Sequence, residues 1–311
     1  VNLNQLYTYV AKVADGSNGL DWGFRFDSMY GVDGNEGQAF GNVDANHWDF
    51  LNGFGGPGDP QTHGAYEIAF PQAYLEVAAG DLALKAGRFY TPIGYEVVTS
   101  PNNFFLSRQL TFYNSEPFTH TGFLFTHKTT ETFSSTLGWT AGWDSGFKRF
   151  NDGSNLVNGF TWNFSDNIVI YNYGAVGNFG WRGDGWINST IVALTWTERF
   201  STVHQLDILD TNLRDPATGV GANFGGPIGP GNPVTNGITG DSTGWITYSF
   251  YKLTDKLTAG SRLEIYKADG NSYVTATSGI NWKPHANLIF LSLIHISEPT
   301  RLRRSRMPSS A

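Results

Sequence analysis

The sequence predicts an all-β fold, a transmembrane antiparallel β-barrel with about fourteen strands visible and truncated before closure. Three observations carry that prediction. Apolar and polar residues alternate at period two along most of the chain, the segments so marked run near ten residues, and short connections alternate with long ones. Alternate residues of a strand face opposite sides, so this pattern makes one face apolar and the other polar. Strands of roughly 9–11 residues cross a bilayer at a tilt, whereas an ordinary soluble strand averages about 5–6. Short turns at one end and longer loops at the other belong to transmembrane barrels.

The clearest element is 20–30, where Leu20, Trp22, Phe24, Phe26 and Tyr30 share one parity and Asp21, Gly23, Arg25 and Asp27 hold the other. In 132–144, Phe133, Leu137, Trp139, Ala141 and Trp143 oppose Ser134, Thr136, Gly138, Thr140 and Asp144. Phe160, Trp162 and Phe164 oppose Thr161 and Asn163, and Val169, Tyr171, Tyr173 and Ala175 oppose Asn172 and Gly174. Near the C-terminus Leu257, Ala259, Leu263 and Ile265 oppose Thr258, Gly260, Arg262 and Glu264. Weaker members are 3–13, 71–78, 82–91, 119–128, 186–197, 202–210, 243–253, 273–283 and 287–290. A parity slip at Gly87 and Arg88 predicts a bulge. Short connections fall at 16–19, 79–81, 129–131, 165–167, 198–201, 254–256 and 284–286; the longest others are 31–64, 93–118 and 211–242.

Composition agrees. Aromatics reach 15% and Gly numbers 38 of 311 residues, above the usual share of roughly 7%, a mixture that favours strands joined by Gly-rich turns. Mean hydropathy is −0.27, but alternation cancels in any average. No apolar run is long enough for a membrane-spanning helix. A β-sandwich would alternate too; it accounts for neither the long strands nor the aromatics near strand ends, which a barrel sets at the lipid–water interfaces. With no cysteine there is no disulfide framework, and a net charge of −7 without a basic block before the extreme C-terminus argues against nucleic acid as a partner. The sequence opens at Val1 without Met and shows no signal peptide, so it reads as a mature form or a fragment.

From Leu291 the character changes. One choice of synonymous codons for 291–301 spells a transposase-type sequencing-library adapter, and 305–311 can be written as the flow-cell end of the same adapter. The domain reading is therefore a barrel over 1–290 and a non-native tail over 291–311 that forms no strand. Removing the tail's four Arg and one Glu from the 20 basic and 27 acidic residues leaves a net charge of −10.

Motifs for chemistry are sparse. The seven His include no His-Glu-x-x-His run, His120 and His127 stand apart on one strand, and there is no Gly-x-Ser-x-Gly elbow. The Gly-rich stretches 53–58 and 219–231 lack Gly-Lys-Ser/Thr, so they read as loops. Oxygen ligands cluster at 33–36, but without EF-hand spacing a solvated turn is the better reading. No cofactor or metal is expected. His204 with Asp207 is the nearest fragment of a hydrolytic site. Parity alone places Arg25, Asp27, Arg262 and Glu264 on the inner wall, since lipid would cost about 2–4 kcal/mol for a midplane Arg. That interior must be wet or internally paired.

Several segments resemble one family. LKAGRFYTPIGYE (84–96), SPNNFFLSRQLTFYNSEPFTHTG (100–122), YKLTDKLTAGSRLEIYKAD (251–269) and GINWKPHANLIF (279–290) are similar to bacterial outer-membrane porins, most closely the β-barrel porin-2 family. The resemblance covers residues 70–290 discontinuously. It implies passive diffusion of small hydrophilic solutes or ions through a water-filled barrel in the bacterial outer membrane, with lipid around it and a homo-oligomer allowed. In porins of this type a long loop folds inward and narrows the channel, which puts Arg88, Glu96, Arg108 and Glu116, in or beside 93–118, at the constriction. The same four groups also read as solvated rim charges. Two rival functions stay open: a barrel-borne outer-membrane hydrolase, and a plugged barrel with a structural role.

Overall fold

A computed structural model describes residues 2–37, 39, 66–147, 149, 152–180, 182–212, 240–268 and 271–300. Fifteen strands form one antiparallel sheet. They are β1 (Leu6–Lys12), β2 (Asp21–Gly31), β3 (Glu67–Ala69), β4 (Ala73–Ala79), β5 (Leu82–Tyr90), β6 (Thr119–Lys128), β7 (Phe133–Thr140), β8 (Ser154–Ser165), β9 (Ile168–Asn178), β10 (Asp184–Thr195), β11 (Phe200–Thr211), β12 (Asp241–Thr254), β13 (Leu257–Ala268), β14 (Asn271–His285) and β15 (Leu288–Thr300). Each pairs with its sequence neighbour, except that β2 pairs with both β4 and the short β3. Two short helices interrupt the connections: α1 (Gly34–Gly37) and α2 (Leu110–Ser115). All fourteen strand segments of the sequence reading are present; β3 and both helices were not anticipated.

The alternation turns into an outer apolar face and an inner polar one. Leu263 and Ile265 stand exposed on β13 while Arg262 and Glu264 between and beside them are buried. Trp22 is 57% exposed and Trp162, Trp245 and Trp282 are likewise outside, so these faces are not packed together as a sandwich core would pack them. A row of exposed large apolar side chains stays out of water only if lipid covers it. Aromatic neighbours pack near the short turns: Trp162 meets Phe164 edge to face beside 166–167, and Trp282 stacks on Phe290 beside 286–287. Rings at strand ends match the interfacial belts of membrane barrels.

Among the described residues β1 and β15 are the free edges of the sheet, which is not closed there. It is nevertheless strongly curved. Gln5, just before β1, donates to the Val98 carbonyl, and Asn281 of β14 donates to the Phe104 carbonyl. Val98 and Phe104 are six residues apart, so the two edge regions lie within roughly 20 Å of chain reach of one segment.

Four expectations need correction. Residues 291–300 were expected to form no strand, yet they pair with β14 from Leu288 through Thr300. The reason lies in their pattern: Leu291, Leu293 and His295 take the inner parity while Ile294 and Ile296 are exposed outside. Such alternation beside an open sheet edge is what a strand requires. No bulge sits at Gly87–Arg88, since the β4 and β5 ladder runs unbroken from Ala73–Arg88 to Ala79–Leu82; Gly87 instead takes a φ of +133°, open to glycine. Trp143 does not continue the outer face of β7. The strand ends at Thr140, and beyond Gly142 the Trp143 ring packs inside on Phe179, with the Arg182 guanidinium over its face. Lastly, long connections do not strictly alternate with short ones, because Ala268 faces Asn271 across β13 and β14. The connections 31–64 and 211–242, with the Gly-rich stretches in them, lie largely outside the described residues.

Candidate functional site: the 91–118 segment on the inner wall

The segment 91–118 leaves β5, runs along the concave face of the sheet and returns as β6. Its sequence explains why it stays there. Ile93 enters an apolar patch of inward residues that includes Leu124, Val157, Ala175, Ile187 and Leu209. Phe105 enters a second patch with Ile191, Val203, Ile246 and Tyr248, against which Leu293 of β15 also packs. Burying one such side chain stabilises by about 1.5–3 kcal/mol, so these two residues pin the segment apolar-side down.

Two glycines of the wall make the seats. A Cβ at Gly244 would lie 2.2 Å from Thr111 Oγ1, and one at Gly260 would lie 2.4 Å from the Phe104 ring. Any larger residue would push the segment off the wall. A glycine on the inward parity of a strand is the sequence signal for such close approach; the sequence reading passed over it.

Charge then locks the contact. Arg262, buried on β13, forms an ion pair with Glu96 and donates to the Ser107 carbonyl at 2.9 Å and the Arg108 carbonyl at 3.1 Å. Glu96 also accepts from Tyr248 Oη at 2.8 Å and from the Gln109 amide at 2.9 Å. Burial raises the Glu96 carboxyl above its ordinary range, and Arg262 pulls it back. Glu264 accepts from the Leu110 and Thr111 amides at 2.9 and 2.8 Å and from the Thr111 hydroxyl at 2.8 Å. Those amides open α2, so a wall carboxylate satisfies donors that a helix start leaves unpaired. Gln109 reaches Gln205 on β11 at 3.0 Å, and Ser115 meets Ser242 and Tyr266 at 2.6 and 2.9 Å. Glu116 accepts from Gln205 at 2.7 Å.

The eight residues singled out from sequence therefore divide. Glu96, Glu116, Arg262 and Glu264 come together, buried, between segment and wall. Arg108 is half-buried and bonds within its own segment, to the Val98 carbonyl at 3.1 Å and Ser100 Oγ at 3.3 Å. Arg88 is fully buried near the segment's base, donating to the Gly37 carbonyl at 3.0 Å and Thr119 Oγ1 at 3.3 Å, among its partners. Arg88 and Phe89 are adjacent and both buried, so this end of β5 is covered on both faces. On the other side of the sheet, Asp27 of β2 is buried and accepts from Arg25 Nε at 2.8 Å, from Gln72 at 2.7 Å and from Tyr7. The Arg25 side chain keeps 29% of its surface exposed, with its guanidinium over the Tyr9 ring.

Other candidates fall apart. His204 and Asp207 lie three residues apart on β11, hence on opposite faces; His204 bonds Thr247 across the strands while Asp207 is buried inside. Asp33 accepts from Gln5 at 2.8 Å. Among the described residues no three His, Asp or Glu side chains are grouped to hold a metal ion. Sequence reasoning missed Phe104, Gln109, Thr111 and Gln205 and named Asp207 only beside His204; the first three lie outside any strand period, and the parity of β11 gives the face of Gln205 and Asp207 but not their partners.

Comparison with known proteins agrees with this architecture. The family described as "Putative beta-barrel porin-2, OmpL-like" matches residues 1–292. A search of curated proteins finds no match. Among solved structures, the outer membrane channel DcaP of Acinetobacter baumannii superimposes with a TM-score of 0.56 at 9% identity, over 94% of this chain and 79% of that one. The anion-selective porin from Comamonas acidovorans gives 0.60 at 8% identity, over 94% and 78%. A mutant of the Rhodopseudomonas blastica porin gives 0.56 at 10% identity, over 94% and 84%. At such identities the likeness speaks for the fold; the family match speaks for descent and role. The chain belongs to the beta-barrel porin-2, OmpL-like family and is an outer-membrane porin.

Proposed function

We propose that the inner wall encloses a water-filled passage for small hydrophilic solutes or ions, narrowed by the 91–118 segment. One observation carries this reading: the segment is fastened across the concave face through Arg262, Glu264, Gln205 and the Gly244 and Gly260 seats, rather than standing outside the rim. Of the eight charged residues named above, Arg25 and Arg108 retain exposed surface and would act on passing ions. Glu96, Glu116, Arg262 and Glu264 hold the constriction in place, and Arg88 and Asp27 are buried supports. A fixed cation facing a water-filled passage with low-dielectric walls biases ion flow locally, because more distant charges are screened beyond about 8 Å at physiological salt. No catalysis or cofactor enters this reading. Lipid covers the outer face, and a homo-oligomer is compatible with it.

The test is single-channel recording in planar bilayers. Discrete conductance that rises several-fold when the segment is released by Arg262→Ala supports the narrowed passage. Silence in the wild type, with conductance appearing only on release, would favour the plugged structural barrel instead. The hydrolase reading loses its one fragment with the separation of His204 and Asp207.

We further propose that residues 291–311 are foreign to the natural chain. The codon reading supports this, as does the family match ending at residue 292. The pairing of 291–300 as a strand weighs against this proposal, although an alternating sequence beside an open edge can pair whatever its origin. The uninterrupted genomic reading frame past codon 290 tests it. A frame that continues into LSLIHISEPTR would refute the proposal.

A further inference from the structure

Glu116 closes α2 on the 91–118 segment, and Asp207 stands on the inner wall of β11. Both are buried to within 2% of complete. Gln205 Nε2 bridges them, donating to Glu116 Oε1 at 2.7 Å and to Asp207 Oδ1 at 3.0 Å, and Ser189 Oγ of β10 donates to the same Asp207 oxygen at 2.5 Å. The second oxygen of each, Glu116 Oε2 and Asp207 Oδ2, is buried with no donor among the described residues. One Gln205 nitrogen thus holds an oxygen of each carboxyl at 2.7 and 3.0 Å, which sets the two groups side by side in one buried place. Two buried carboxyl groups side by side, each with an unsatisfied oxygen, repel as a pair of anions. They become a satisfied pair when one carries a hydrogen.

We infer that Glu116 and Asp207 share a single proton, and that this proton fastens the far end of the 91–118 segment to the wall. The surroundings favour it. Glu96 of the segment and Glu264 of β13 are the further acids that face the pair, and both oppose a second negative charge there. Arg262 is committed to Glu96, and Tyr248 of β12 to Glu96 and Gln109, so neither neutralises the pair. Burial, then the facing Asp207 carboxylate, push the Glu116 carboxyl well above the ordinary range. Loss of the proton to the lumen leaves two anions in one buried site, and the segment must lift to hydrate them. The fastening rests on the narrowed-passage reading; the shared proton does not.

The test has two arms, using protein in lipid vesicles and in planar bilayers. In the first, difference infrared spectra between wild type and Glu116→Gln should show one protonated carboxylic acid at neutral pH that the variant lacks. In the second, the ratio of wide to narrow conductance states in wild type should rise about tenfold per pH unit once the pair titrates, the slope for one proton. Glu116→Gln supplies a permanent amide donor to Asp207, so its ratio should stay narrow and flat with pH. Asp207→Asn serves in the same way if the first variant does not fold. Absence of the acid band overturns the inference and leaves the constriction reading untouched. A band accompanied by pH-flat conductance in wild type overturns the fastening. An unchanged slope in Glu116→Gln overturns it too, by assigning the proton elsewhere. The constriction reading fails separately, if Arg262→Ala leaves conductance as it was.

Discussion

Two charged pairs stand on the inner wall at opposite sides of the sheet, Arg25–Asp27 on β2 and Arg262–Glu264 on β13. Their sequence contexts are alike: each alternates with outward aromatic or aliphatic residues. Their environments are not. Arg262 and Glu264 are fully buried, spending their hydrogen bonds on the backbone of 107–111 and on Glu96. Arg25 keeps part of its surface free and bonds mainly to its own neighbour. Parity decides which face a charge takes; a segment distant in sequence decides whether that face is wet.

The difference predicts unequal responses. Arg262→Ala should have the largest effect, because it leaves Glu96 buried without its partner. Breaking such a pair costs about 3–5 kcal/mol, to be read as a lower urea midpoint in lipid vesicles together with the conductance rise already described. Gly244→Val comes next. Its side chain would occupy the place of the Thr111 hydroxyl, and overpacking of that kind costs about 1–3 kcal/mol. A variant as stable as wild type, with unchanged conductance, would remove Gly244 as a seat.

Arg25→Ala should do the reverse, changing stability little and selectivity measurably. The pair is partly solvated, and Asp27 retains Gln72 and Tyr7 as donors, so the cost should stay near 1 kcal/mol. Reversal potential under a salt gradient should shift toward cations, and Arg108→Ala should shift it in the same direction. If neither moves it, these two cations do not face the passage.

The smallest effect concerns Asp144, in the connection after β7. It accepts from the Phe118 and Thr119 amides at 2.7 Å each, and burial pushes its carboxyl up to about 6. Between about pH 4 and 6 the folded chain therefore holds a proton that the unfolded chain has released. This group's contribution to stability falls as pH rises through that window and is level above it. Asp144→Asn should flatten that slope by at most about 1.4 kcal/mol per pH unit. Urea titrations at a series of pH values read it directly, and an identical slope in the variant would assign the dependence to another group.

The fold was largely legible because a strand writes its faces into the sequence. Trp22, Arg25 and Asp27 on β2, or Leu263, Arg262 and Glu264 on β13, each announce their side by parity. The contact between segment and wall was legible in part of its membership and not in role. Glu96, Glu116, Arg262 and Glu264 were named from sequence, yet nothing local says that a segment some 150 residues away covers the last two. Thr111 on α2 and its glycine seat at Gly244 belong to one contact and share no sequence pattern. The pairing of 291–300 shows the converse limit, since alternation reports an ability to pair and not an origin.

The central claim is that 91–118 lies docked on the inner wall of β11–β13, and the absence of cysteine makes it directly testable. A Cβ at Gly244 would lie 3.1 Å from the Thr111 Cβ, a few tenths of an ångström inside the usual disulfide separation of about 3.5–4.5 Å. The double variant Thr111→Cys, Gly244→Cys should therefore crosslink under mild oxidant in lipid vesicles, and the oxidised protein should conduct as the wild type does. Failure to crosslink, or a crosslinked protein whose conductance departs from that of the wild type, would contradict the account.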